Sequence, residues 1–202
     1  LAGAFRTMTE AVRDREQRIR HQSLHDAVTG LPNRSAAESA MDLDLANDRA
    51  AEGALLMIGL TRVPDIVKTM GHALCDRLVR DAGERIHGVV EDALLARASD
   101  TQFVAWLPDA TATAAAAMAQ RVLRALDEPY QEPAVAIDVL PSIGIALFPT
   151  DGTQAGTLLR HAEVAQFAAA GSGNALIFYD AATDPHRPER LSLMGELREA
   201  LD

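Results

Sequence analysis

The side chains able to do chemistry in this sequence are its acids, six histidines and one cysteine, and their spacing decides which chemistries are open. His21, His25, His72, His87, His161 and His186 show no metal-ligand spacing. His21 and His25 lie four apart, a weak signal alone, and all six read as surface or helix-end histidines. Cys75 stands alone, which excludes an internal disulfide and a multi-thiolate metal site and fits a reducing compartment. It reads as a small packed side chain rather than a reactive thiol. No Ser–His–Asp or Cys–His constellation with a recognisable motif is present, so nothing supports a hydrolase. Among the acids, Asp76 falls within a predicted helix, where a solvated or capping carboxylate is the ordinary role.

The elements that must position these groups follow from periodicity. The chain has 202 residues, 48% hydrophobic, 24% charged and only 4% aromatic, so one domain with an aliphatic core is expected. A net charge of -10 argues against a surface that tracks nucleic-acid phosphates. No apolar run approaches the roughly 20 residues needed to span a bilayer. The start, Leu1-Ala-Gly-Ala-Phe5, lacks both an initiator Met and signal-peptide order, and is expected to lie inside a longer protein.

Leu1, Phe5, Met8, Val12 and Ile19, with Arg15 and Gln22 on the same stripe, set a heptad pattern over residues 1–22. A parallel partner helix is the preferred reading, and a helix folded back on its own domain the alternative. Asp26 offers an N-cap-like carboxylate, and Gly30-Leu-Pro-Asn-Arg34 a turn into a helix over 35–51. Gly53–Leu60 is a continuous apolar run suited to a central strand covered on both faces. A helix over 73–91, strands near 94–98 and 102–107, a helix over 110–126, strand within 134–147, a helix over 157–169 and a strand over 176–179 follow. Pro141 marks an irregularity. Residues 181–190, with Pro185 and Pro188, read as a linker before an amphipathic helix begun by Leu191, Met194, Leu197 and Leu201. This order predicts an α+β fold, a ferredoxin-like, mostly antiparallel sheet flanked by helices.

Four segments carry a family resemblance. His25-Asp-Ala-Val-Thr-Gly-Leu-Pro-Asn-Arg34 resembles the D-x-L-T-G-L-P-N-R signature of GGDEF domains. Gly71-His72 through Asp76 resembles G-H-x-x-G-D, and Ser142–Gly152 resembles S-I-G-I-A-x-x-P-x-D-G. Ala162 through Asn174 resembles A-D-x-A-L-Y-x-A-K-x-x-G-R-N. The resemblance covers residues 24 to 180 and implies a nucleotidyl-cyclase-type fold. It also implies a chemistry: two facing domains each hold one GTP, and each 3′ hydroxyl attacks the other's α-phosphate to give cyclic di-GMP. Such a reaction needs divalent metal on oxygen ligands and cations around the triphosphate.

Matched residue by residue, those groups are missing. In the pattern resembling L-D-x-D-x-F-K-x-I-N-D, Gly59 takes the place of the first metal carboxylate and Thr61 the second Asp. Val63 replaces the Phe, Pro64 the Lys, and Val67 the Asn that contacts guanine in active members. Arg97-Ala-Ser-Asp-Thr-Gln-Phe103 stands where the family has R-x-G-G-D-E-F, so the signature reads Ser99, Asp100, Thr101, Gln102, Phe103. Thr101 replaces the metal-binding acid and Gln102 the following Glu. Rescue by Asp100 needs a one-residue slip that would turn the strand's side chains over, against the anchor at Phe103. Ala170 and Asn174 replace the Lys and Arg expected near the outer phosphates. Asp76 matches the acid that contacts the guanine edge. Val90 and Ala93 occupy the R-x-x-D product site, with Asp92 one residue away and no Arg to clamp a phosphate.

The expectation is a catalytically inactive GGDEF domain with no metal or cofactor. Residues 1–24 form a signalling helix, 25–180 the domain, and 181–202 the approach to an EAL domain. The N-terminal stripe resembles a HAMP-type signalling helix, and Leu191–Leu201 resembles the helix that precedes EAL domains. The chain is thus expected to be the cytoplasmic middle section of an inner-membrane bacterial protein. It would dimerise through its N-terminal helix and relay a signal to that EAL domain. A GTP-binding domain that regulates the EAL domain without turnover is the alternative, and an active diguanylate cyclase the third reading.

Overall fold

The apolar run Gly53–Leu60 forms strand β1, and every one of its residues is buried. The reason is its place in the sheet. The structure, a computed structural model, describes residues 23–47, 50–131 and 136–184. Within them β1 is followed by helices α2 (Val63–Met70) and α3 (His72–Val90) and strands β2 (Leu94–Ser99) and β3 (Gln102–Pro108). Helix α4 (Ala112–Asp127), the short strands β4 (Tyr130–Gln131) and β5 (Ala136–Ile137), strand β6 (Pro141–Phe148), helix α5 (Ala155–Ser172) and strand β7 (Leu176–Phe178) complete the order. Helix α1 (Arg34–Ala46) precedes β1.

The main sheet runs β2-β3-β1-β6-β7, with β4 and β5 a separate two-stranded ribbon. β1 pairs antiparallel with β3 and β6, β2 pairs antiparallel with β3, and β7 alone joins in parallel, to β6. This is the expected ferredoxin-like βαββαβ core (β1, α3, β2, β3, α4, β6), to which α1, α2, α5, β7 and the β4–β5 ribbon are added. Alternation along β1 sends Leu56, Ile58 and Leu60 into one core with Leu78, Ile86 and Val122. It sends Leu55 and Met57 into a second core with Met41, Trp106 and Leu158. Helices α3 and α4 therefore cover one face, and α1 and α5 the other. Each large side chain so buried contributes about 1.5–3 kcal/mol.

Local chemistry corrects several expectations. The first helix ends at Ala46, short of residue 51, where Asn47 caps it through its backbone N–H on the Leu43 carbonyl. Its N-cap is Asn33, whose Oδ1 accepts from Ala36 N at 3.0 Å, and not Asp26. Helix α2 has no counterpart in the periodicity reading. It is only eight residues long and starts with Pro64 in its first turn, where the missing N–H costs nothing. The strand expected over 134–147 divides. Asp138 Oδ1 accepts from Leu140 N at 2.8 Å, Leu140 takes φ 49°, and Pro141 then opens β6. The heptad stripe over 1–22 and the helix begun by Leu191 lie outside the described residues. Among the described residues no helix is long and apolar enough to cross a membrane.

Candidate functional site

Gly59, near the end of β1, lies in register with Gln102 on one side and Ser142 on the other. It points to the α5 face, as Leu55 and Met57 do. Helix α5 lies very close there because a neighbouring residue is Gly144: a Cβ on Gly144 would collide with the backbone of Ala162 and Gln166. That close approach lays the Gln166 side chain across Gly59. A Cβ built on Gly59 would stand 2.1 Å from Gln166 Nε2 and 2.6 Å from its Cδ.

Gln166 is held there by buried partners. Its Oε1 accepts from Gln102 Nε2 at 2.9 Å, and its Nε2 donates to Ser142 Oγ at 2.9 Å. Gln102 Oε1 in turn accepts from Ser99 Oγ at 3.0 Å, and Ser142 Oγ lies 3.4 Å from Thr61 Oγ1. Gln102, Ser142 and Gln166 are 5, 3 and 4% exposed, so the centre of the network is buried, neutral and hydrogen-bonded. It holds no carboxylate, and the carbonyl oxygens of Gln102 and Gln166 already accept hydrogen bonds, so it does not fit a divalent cation. The buried Gln166 amide nitrogen is the nearest atom in the space that a side chain at position 59 would enter. Gln166 was missed in the sequence reading although it stands at the Leu of the A-D-x-A-L-Y pattern. A polar residue at an apolar position facing a glycine was the available signal.

The turn between β2 and β3 is held from below by Arg97, 7% exposed. Its Nε donates to the Ser99 carbonyl at 3.1 Å and one Nη to the Asp100 carbonyl at 3.1 Å. The other Nη pairs with Asp26 Oδ1 at 2.9 Å. That same oxygen accepts from Thr29 N and Thr29 Oγ1, each at 2.8 Å, so Asp26 closes a turn. Burial pushes the Asp26 carboxyl up, but the Thr29 and Arg97 hydrogen bonds outweigh it and hold the group below its ordinary value. Phe103, opposite both Arg97 and Ile58, is 1% exposed and locks the strand register. Asp100 sits on the exposed turn, offset by the irregularity between Arg97 and Ser99.

Beside the turn opens a cleft of about 460 Å³ that gathers Asp76, Asp100 and Thr101 with Lys68, His72 and Arg97. Its apolar wall is Val28, Val63, Pro64 and Val67. Gly59 and Gln102 do not line it, and neither do Ala170 and Asn174 near the end of α5. Exposed Asn174 donates to Ser172 Oγ at 3.1 Å. Arg97 is committed to Asp26, and Lys68 lies 3.5 Å from Asp65. Cys75 also lines the cleft but belongs to the core. Burial, then the neighbouring Asp76, pushes its thiol pKa up. We predict that Cys75 in the folded chain reacts with Ellman's reagent at least about tenfold more slowly than in urea-unfolded chain at pH 8. Equal rates would contradict this.

At the opposite end of the sheet Val90 is buried and Ala93 half-buried, beside a groove of about 740 Å³. Among the described residues, the charged ones that line it are Asp44, Asp92 and Asp109.

A ferredoxin-like sheet with its polar turn at the end of β2 and its cleft over the start of α3 defines a nucleotidyl-cyclase-type domain. A family model described as "Diguanylate cyclase, GGDEF domain" matches residues 23–175, and the chain belongs to the GGDEF family. It is 31% identical over 186 residues to the Bifunctional diguanylate cyclase/cyclic di-GMP phosphodiesterase MucR of Pseudomonas aeruginosa, covering 89% of this chain and 27% of that protein. To the Cyclic di-GMP phosphodiesterase PdeR of Escherichia coli it is 29% identical over 159 residues, 78% of this chain and 24% of that one. The chain thus spans about a quarter of these relatives. The solved GGDEF domain of TpbB (YfiN) from Pseudomonas aeruginosa superposes with a TM-score of 0.72 at 28% identity, covering 77% of this chain and 94% of that chain.

Proposed function

We propose that this GGDEF domain has lost cyclase chemistry and serves cyclic di-GMP signalling as a relay and dimerisation module. One observation carries the reading: the Gln166 carboxamide fills the space that a metal-binding side chain at position 59 would need. Thr101 brings no carboxylate to the turn, and Ala170 and Asn174 bring no cation to a triphosphate. Pro64 and Val67 add only apolar surface to the cleft. Among the described residues, the charged rim of the groove beside Ala93 is Asp44, Asp92 and Asp109, which disfavours an anionic product.

In this reading residues 1–24 deliver the signal as a paired helix, 25–180 form the relay, and 181–202 lead to an EAL domain. The whole is a cytoplasmic part of an inner-membrane protein. Relatives named as both cyclase and phosphodiesterase, or as phosphodiesterase alone, support that company. The second reading, a GTP-binding domain that controls its neighbour without turnover, is favoured by the 460 Å³ cleft that keeps Asp76 at its wall. GTP would then have to bind two states with different affinity.

Calorimetric titration with GTP and Mg²⁺ separates the two. The relay reading predicts no saturable heat up to millimolar GTP. Saturable binding that weakens in Asp76→Ala would replace it with the second reading.

A further inference from the structure

Helix α5 carries Gln166 into the buried network, and the next residue, Phe167, points away from the sheet and is 61% exposed. Phe167 is not isolated. With Val164 and Ala168 of α5, and Ile177 and Phe178 of the outermost strand β7, it walls a groove of about 330 Å³. Among the described residues none that lines this groove is charged, and Thr183 lines it too. A continuous apolar groove around an exposed Phe marks a surface made to be covered.

The chain itself leads to this groove. Just beyond Thr183, Asp184 is pinned: its Oδ2 accepts from Tyr179 Oη at 2.8 Å and pairs with Arg160 at 3.4 Å. The Tyr179 ring stacks on His161 of the same helix at 3.9 Å between centroids. Asp184 is 1% exposed, so the departure point of the chain is fixed against α5. From there residues 185–190 can reach at most about 20 Å, which returns Leu191 to the groove with ease. Leu191, Met194, Leu197 and Leu201 follow at helical spacing, with Glu196, Arg198 and Glu199 between them. A helix this short is marginal without a surface to pack on. A tether of this length gives an effective concentration on the order of millimolar, ahead of any partner in dilute solution.

We infer that the apolar stripe of residues 191–201 docks in cis on the α5–β7 groove, with its leucines against Phe167, Val164 and Ile177. The segment that leaves the domain then rests on the helix whose other face holds the degenerate site. This inference stands independently of whether that site turns over or binds nucleotide.

Amide hydrogen exchange on the intact 202-residue chain tests it, with Phe167→Glu and Leu197→Glu as variants. Phe167 lies outside the two described cores, and the sheet amides report in either variant whether the fold is intact. Docking predicts that amides of 191–201 exchange at least about tenfold more slowly than an unstructured chain, and that either variant abolishes this protection. The Leu197→Glu variant also speeds exchange at 176–178. Fast exchange at 191–201 in the parent chain would overturn the inference. So would protection that survives Phe167→Glu, or that grows with protein concentration alongside dimer formation, since the occupant would then be another surface or a second copy.

Discussion

Replacing Gly59 by Asp, the change that nominally puts back a metal-binding carboxylate, is expected to destabilise the domain by more than about 3 kcal/mol instead of reviving it. Two terms add. The new Cβ would lie 2.1 Å from Gln166 Nε2, so the carboxamide must swing away and give up its buried hydrogen bonds to Gln102 and Ser142. The new carboxylate is also buried beside Gln102 and Ser142, both about 95% or more covered, with no cation to pair it. Removing the obstruction should reverse part of the loss. In Gly59→Asp with Gln166→Ala, Gln102 Nε2 and the Ser142 hydroxyl become donors to the new carboxylate. The pair should recover at least about 1 kcal/mol relative to additivity. Urea unfolding of the four chains of this cycle measures it. A Gly59→Asp chain as stable as the parent would mean that the carboxamide does not hold that space.

The second large effect concerns the brace beneath the signature turn. Arg97→Ala should cost about 3 kcal/mol, since it strands the Asp26 carboxylate and leaves the Ser99 and Asp100 carbonyls without their donor. Asp26→Asn, which keeps the shape and some of the Thr29 bonds, should cost less. The pair also sets an acid limb. The folded pKa of Asp26 lies below its ordinary 3.8, so its stabilisation is complete above that value and is lost as pH falls through the folded pKa. Unfolding free energy measured from pH 5 to pH 2 should therefore fall less steeply in Asp26→Asn than in the parent. Parallel profiles would contradict this assignment.

Local patterns told much of the fold. The Gly53–Leu60 run had the length and composition of a strand buried on both faces, and it is the centre of the sheet. Phe103 was a sound anchor because a buried aromatic on a strand tolerates no slip. Helix α2 escaped because eight residues with a proline in the first turn carry too few turns for a period to emerge. Asp26 was read as a helix cap because Asx turns and caps share one sequence cue. Its true partner, Arg97, comes from a strand far along the chain. The site was legible as a set of substitutions at Gly59, Thr101, Gln102, Ala170 and Asn174. What those substitutions built was not. Gln166 meets Gly59 only because Gly144 lets α5 sit down on the sheet, a coincidence of three distant positions that no spacing rule contains.

The most direct test of the central claim is a chromatographic assay for cyclic di-GMP. It would use the intact chain at high concentration, with GTP and either Mg²⁺ or Mn²⁺, and an active GGDEF protein run in parallel. The account predicts no product above the protein-free blank over hours. Time-dependent product that scales with protein concentration and falls in Asp76→Ala would show that the cleft turns over GTP despite the filled seat at Gly59.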